Sequence, residues 1–95
     1  MIARVSGSGQ FELPDSSIPE LHEYDHRLTE ALHARDAQQF HALLAQMIEY
    51  VREHGTAVPH DTIVPSSIII PPEDITLDEA HRFFTDEGLM EPVPA

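Results

Sequence analysis

The sequence predicts an α+β fold with an N-terminal β-hairpin, an antiparallel helical hairpin, a short third strand and a short C-terminal helix. Residues 2 to 13 alternate apolar and polar side chains around a glycine-rich turn, which is the pattern of a half-buried hairpin. The apolar residues between positions 40 and 51 recur at three- and four-residue steps, which predicts an amphipathic helix. Three isoleucines at 68 to 70, flanked by prolines, predict a short edge strand.

The glycine-rich turn lies in "RVSGSGQFEL", residues 4 to 13. A dinucleotide-binding loop needs a third glycine at a fixed offset and a following helix, and a P-loop needs a lysine. This turn has no such glycine, and the chain contains no lysine. We therefore predict a three-residue hairpin loop over 7 to 9 with four pairs: Ser6–Gln10, Val5–Phe11, Arg4–Glu12 and Ala3–Leu13. This register places the apolar residues on one face and an Arg4–Glu12 ion pair on the other.

The first helix is predicted to begin after Ser17, an N-cap residue with Glu20 in the capping-box position, and to end near Ala34. Its apolar stripe consists of Ile18, Leu21, Leu28 and Leu32, with Tyr24 and Ala31 at the edge. The second helix is predicted to begin after Asp36 and to stop at Gly55. Its apolar face, which we expect to cover the hairpin, consists of Phe40, Leu43, Leu44, Met47, Ile48 and Val51.

The C-terminal third of the chain is rich in proline, which excludes a long helix there. Thr76 and Glu79 form a capping-box pattern that predicts a short helix, with Leu77, Ala80, Phe83 and Phe84 on its inner side. We expect residues 1–95 to form a single domain whose last residues, 87–95, are frayed.

The composition excludes several classes of function. A formal net charge of −12, from 17 acidic residues against five arginines, disfavours nucleic acid and anionic membranes as partners and suits a basic protein. The chain has no cysteine, and hence no disulfide or thiolate chemistry. We see no signal peptide and no apolar run that could span a bilayer. These features predict a soluble, cytoplasmic protein without direct membrane insertion.

The strongest candidate for site chemistry is a row of three histidines, His22, His26 and His33, on the outer side of the first helix. The segment "HEYDH" (22–26) has the spacing of a metalloprotease motif, but such enzymes need a third ligand and a larger scaffold. We interpret the row as solvated histidines and predict no metal, no cofactor and no catalytic residue, hence no enzyme. Binding of a metal or a small ligand by this row is the alternative function.

Several short motifs along the chain resemble those of the PspAA family of PspA-associated proteins. They are an opening G-x-G-Q hairpin, a G-T-x-V-P segment, a V-P-S…P-P segment and a late E-G-L. The residues that carry the resemblance are Gly7, Gly9, Gln10, Arg52, Gly55, Thr56, Pro59, Val64-Pro65-Ser66, Pro71-Pro72 and Glu87-Gly88-Leu89. The abundance of histidine is a departure for which the resemblance offers no role.

The resemblance implies an accessory protein of the phage-shock or envelope stress response that works with PspA, a membrane-remodelling coiled-coil protein. It brings no catalytic residue. From the net charge we infer that a protein-protein interaction with a PspA-like coiled-coil protein uses carboxylates on the helices, such as Glu23, Glu30 and Glu49. The predicted edge strand 68–70 would also allow a homo-oligomer through pairing with a second copy.

Overall fold

The computed structural model describes residues 1–59, 61–62, 64–82 and 84. Its elements in chain order are β1 (Ile2–Val5), β2 (Gly9–Glu12), a 3₁₀ turn (Asp15–Ser17), α1 (Ile18–His33), α2 (Ala37–His54), β3 (Thr56–Ala57), β4 (Ile68–Ile70) and α3 (Leu77–Ala80). The predicted α+β class and its order of elements are confirmed. Phe83 and the predicted frayed tail 87–95 lie outside the described residues.

The strands form one sheet in the order β3-β2-β1-β4. The neighbours β1 and β2, and β2 and β3, are antiparallel, whereas β4 runs parallel to β1. The edge position predicted for β4 is confirmed. The two-residue strand β3 was not predicted, because two residues are too few to show an alternating pattern.

The predicted register of the β1–β2 hairpin is wrong by two residues. Val5 pairs with Gly9, and Arg4 with Gln10. The loop therefore consists of residues 6 to 8, and Arg4 does not lie opposite Glu12 as predicted. The Ser8 amide donates to the Val5 carbonyl at 2.9 Å, and Gly7, third in this turn, has φ +84°. A positive φ at that position favours glycine. A two-residue shift keeps each side chain on its predicted face, because strands repeat every two residues.

The two long helices begin with different kinds of cap. The Asp36 carboxylate accepts a hydrogen bond from the Gln39 amide at 3.1 Å, as predicted for α2. Ser17 lies at the N-cap of α1, but its side chain makes no capping hydrogen bond and is buried. The reason is the 3₁₀ turn before α1, which gives Ser17 helical dihedral angles, whereas a capping side chain usually projects from an extended residue.

The C-terminus of α1 closes without glycine. The Asp36 amide donates to the Ala31 carbonyl at 3.0 Å and the Arg35 amide donates to the Leu32 carbonyl at 3.1 Å, which is the bonding pattern of a Schellman motif. Arg35 therefore occupies the left-handed position, with φ 56°. This turn reverses the chain in three residues and makes the helices antiparallel.

Gly55 ends α2 for a different reason. Its φ of −95° and ψ of 161° are those of an extended residue, so the backbone conformation does not require glycine. A Cβ atom at this position would lie 2.6 Å from the Val51 carbonyl oxygen and 3.0 Å from Phe11 Cβ. The lack of a side chain lets the chain leave α2 directly against β2 and enter β3.

The core lies between the inner face of the sheet and the helices. All six apolar residues predicted for α2 are buried, and Ala3, Val5 and Leu13 join them from the hairpin. In α1 the residues Leu21, Leu28 and Leu32 are buried as predicted, and Ile18 packs at the margin. The capping box of Thr76 and Glu79 is also confirmed at α3, which buries Ala80 against the same core.

Candidate functional site

The outer side of the helical hairpin carries a groove between α1 and α2, which we call the interhelical groove. Its narrow end has a cavity of about 130 Å³, and its wide end, near the turn between the helices, one of about 420 Å³. Arg27 lines both cavities, so the two are adjacent, and we describe them together as the groove. The lining residues are Glu20, Glu23, Tyr24, Arg27 and Gln46 at the narrow end, and Glu30, Ala31, Ala34, Asp36, Gln39 and Leu43 at the wide end.

The rim of the interhelical groove is acidic. Four carboxylates line it, those of Glu20, Glu23, Glu30 and Asp36, against the single guanidinium of Arg27. Arg27 Nε lies 2.9 Å from Glu23 Oε1, and both side chains are exposed, so water screens this pair. The rim therefore keeps a negative potential that favours cationic side chains.

The floor of the interhelical groove is apolar at its wide end. Ala31 and Leu43 supply it at the wide end, where both are nearly buried. At the narrow end Tyr24 lines the groove and packs against Tyr50, with ring centroids 5.9 Å apart. An apolar floor beside a charged rim is the chemistry with which proteins bind amphipathic helices.

The outer face of the sheet forms a second surface, crossed by the segment that leads from β3 to β4. Gln10 Nε2 donates to the Val64 carbonyl at 3.0 Å and to Ser66 Oγ at 2.7 Å. The Val58 amide in turn donates to the Gln10 carbonyl at 2.9 Å. The cavity left under this segment is about 200 Å³, which is below the size of typical small-molecule pockets. Gln10 therefore acts here as a structural clamp.

The hydrogen bonds of Gln10 bring together the sequence motifs that carry the family resemblance. Gly9 and Gln10 come from the hairpin, and Pro59 and Val64 from the later segments; all four line the 200 Å³ cavity. Sequence reasoning identified these motifs without predicting that they meet. The exposed Arg4, next to Gln10, also reaches this segment, with Nε 3.4 Å from Ser66 Oγ.

None of the three histidines of the α1 row lines the interhelical groove or the cavity on the outer sheet face, although His26 contacts a residue of the groove rim. His26 and His33 are exposed, and His22 is partly buried. His26 forms an exposed i,i+4 contact with Glu30. Within the described part of the chain, no group of three His, Asp or Glu residues is arranged to hold a metal ion.

A buried carboxylate, Asp25, was missed by the sequence analysis. It is only 3% exposed and lies on the inner side of α1 between Leu21 and Leu28. The signal was present, because position 25 is four residues after Leu21 and three before Leu28 and so falls on the apolar stripe. Throughout the described residues, every fully buried side-chain polar atom has a hydrogen-bond partner, so the fold accommodates this acid.

The carboxylates expected to meet a partner are all exposed, but they do not lie together. Glu23 and Glu30 belong to the rim of the interhelical groove, whereas Glu49 lies on α2 and does not line it. Among the described helices, none combines the length and apolar composition of a bilayer-spanning segment.

Comparison with known proteins gives one assignment. The model of the PspAA family, described as PspA-associated protein, matches residues 1–92. No curated protein and no solved structure matches the chain.

Proposed function

Because the chain belongs to the PspAA family of PspA-associated proteins, we propose that it is a non-enzymatic interaction module that binds a PspA-like coiled-coil protein. In this role it is a cytoplasmic accessory factor of the envelope stress response. The family match, which covers residues 1–92, is the observation that carries the proposal. The family name supplies the partner, and the exposed acidic helices supply a mechanism of association.

Electrostatic steering is the mechanism that we propose for the encounter. The chain carries a formal net charge of −12, and Glu23, Glu30 and Glu49 are exposed on the two long helices. A field of one sign accelerates the approach of an oppositely charged surface, and here it favours a partner with a basic helical face. It acts on the association rate more than on the dissociation rate.

The test is the salt dependence of binding to the purified PspA-like protein of the same cell. Salt shortens the Debye length from about 10 Å at 0.1 M to about 3 Å at 1 M. We expect the association rate to fall steeply over this range and the dissociation rate to change much less. An absence of binding at low salt would refute the proposed function. Binding that is indifferent to salt would keep the partner but refute the steering mechanism.

Charge reversal of helix carboxylates tests the same mechanism without changing the solvent. Replacement of Glu23, Glu30 or Glu49 by Lys should slow association and leave the fold intact, because all three side chains are exposed. Far-UV circular dichroism checks the fold. An unchanged association rate in a triple variant would contradict electrostatic steering.

A further inference from the structure

We propose that the interhelical groove is the docking site for one amphipathic helix of the partner, with basic side chains flanking an apolar stripe. This inference rests on the proposed function, because it places the partner at one surface of the domain. The groove combines an apolar floor at its wide end, an acidic rim on α1 and a shape that runs along both helices. Three features of the groove support this occupant.

The first feature is the spacing of the residues that border the groove. On α1 the positions 20, 27 and 34 and the positions 23 and 30 are seven residues apart, and so are 24 and 31. On α2 the same spacing joins positions 39 and 46. A seven-residue repeat keeps one stripe facing a neighbouring helix that runs nearly parallel. The groove-lining residues of α1 and α2 thus form two stripes that a third helix can contact, as in a three-helix bundle.

The second feature is the size of the groove. From Glu20 to Ala34 it extends over about 21 Å, at a rise of about 1.5 Å per residue, which corresponds to about four turns of a docked helix. The small side chains of Ala31 and Ala34 leave the wide end open. A large apolar side chain of the partner can therefore contact Leu43 at this end, whereas the ring of Tyr24 lines the narrow end.

The third feature is charge, which selects the occupant. A second copy of this chain would bring four more carboxylates to the same rim, and like charges at close range oppose docking. An anionic lipid surface is repelled for the same reason. A helix with lysine or arginine beside its apolar stripe meets Glu20, Glu23 and Glu30 at the edge that faces α1, and its apolar side chains meet the floor at the wide end.

A matched pair of bulky substitutions tests the site. Gln39 lines the wide end of the groove, whereas the adjacent Gln38 is also exposed and does not line it. We expect Gln39→Trp to weaken binding of the full-length PspA-like protein by roughly tenfold or more, because it fills the groove, and Gln38→Trp to leave the affinity within about twofold of wild type. The capping bond at Gln39 uses its backbone amide, so the fold tolerates the change. Equal affinities of the two variants would overturn the proposal.

A pair of charge reversals gives an independent measurement. Glu30→Lys and Glu49→Lys change the net charge equally, so both should slow association. Only Glu30 lies on the groove rim, so Glu30→Lys alone should also accelerate dissociation, by roughly severalfold. Equal dissociation rates for the two variants would contradict docking in the groove.

A synthetic peptide separates this inference from the proposed function. The probe is a helix-forming peptide of four turns, with a leucine stripe flanked by lysines. In one outcome, wild-type protein binds the PspA-like protein and the two variants of each pair bind it alike. In that case the partner does not dock in the groove, and the proposed function stands. If wild type does not bind the PspA-like protein, the proposed function fails. The groove then stands only if the peptide binds wild type and Gln38→Trp roughly tenfold more tightly than Gln39→Trp.

Discussion

The helical hairpin and the outer side of the sheet are held by different kinds of contact. The helices are joined by apolar side chains that recur with the period of the helix, and α2 alone buries six of them. The outer sheet face is held by side-chain hydrogen bonds between distant positions, those of Gln10 with Val64 and with Ser66. The first kind of contact tolerates substitution by apolar residues of similar volume, and the second depends on individual polar atoms.

This difference explains what could be predicted from the sequence. Periodicity identified both helices and the apolar residues of α2, because burial repeats along a helix every three or four residues. The register of the hairpin was not predictable in the same way, since registers two residues apart put the same side chains on the same faces. The two registers differ in whether Gly9 belongs to the loop. A positive φ does not decide between them, because both Gly7 and Gly9 have one.

The same difference separates the parts of the candidate sites that could be predicted from those that could not. The acidic residues of α1 could be placed on an exposed face, because helical geometry is regular. The groove itself required the packing of α1 against α2, which sets Gln39 and Gln46 opposite the glutamates. The hydrogen bond between Gln10 and Ser66 joins a residue that precedes both helices in the sequence to one that follows them, so no local sequence pattern predicts it. The burial of Asp25 was not predicted, because the prediction followed the polarity of its side chain and not its position on the apolar stripe of α1.

The largest expected effect tests the apolar half of this comparison. Leu44 is fully buried, so Leu44→Ala should lower the free energy of unfolding by about 2–5 kcal/mol. The control is Ile69→Ala on the outer sheet face, where 49% of the residue is exposed and the loss should be much smaller. Chemical denaturation measures both. A loss below about 0.5 kcal/mol at Leu44, as at a surface position, would show that the helix face is misassigned.

The polar half of the comparison is tested at Gln10. Gln10→Ala removes the donor to Val64 and Ser66 and should cost about 1–3 kcal/mol, because their acceptors lose a partner in a partly buried site. Hydrogen exchange at the Val58 amide should accelerate as the segment loosens. Gln46→Ala, at an exposed position of α2, provides the control and should change stability by less than about 0.5 kcal/mol. Equal effects of the two substitutions would mean that the clamp contributes nothing.

A smaller effect of opposite sign is expected at the turn between the helices. Arg35 has a left-handed conformation, which is unfavourable for residues other than glycine by about 1–2 kcal/mol. Arg35→Gly relieves this strain but adds chain entropy to the unfolded state, and we expect a net stabilisation of about 0.5–1 kcal/mol. The nearest carboxylate, Asp78, is 4.0 Å away and exposed, so losing that contact matters little.

Arg35→Ala removes the same charge but keeps a Cβ atom in the left-handed position. It should not stabilise the protein, and thermal unfolding of the two variants compares them directly. If Arg35→Ala stabilised the protein as much as Arg35→Gly does, the arginine side chain rather than backbone strain would be responsible.

The smallest effect is expected for the histidine row. Replacing His22, His26 and His33 together by Gln should leave the melting temperature at neutral pH nearly unchanged, because two of the three are exposed and such positions contribute within about 0.5 kcal/mol. A chelator should likewise have no effect on wild-type melting. Stoichiometric zinc in the native protein, or a large fall in melting temperature, would instead support the alternative metal-binding function.

The parallel pairing of β1 with β4 joins two strands that are far apart in the sequence. Ala3 pairs with Ile68, so the central strand gains its second neighbour only after both helices and the crossing segment have been synthesised. The contacts within the α1–α2 hairpin are local, and local contacts form faster than those that close long loops. We therefore expect the helical hairpin and the β1–β2 hairpin to form first, and β4 to add in the last step of folding.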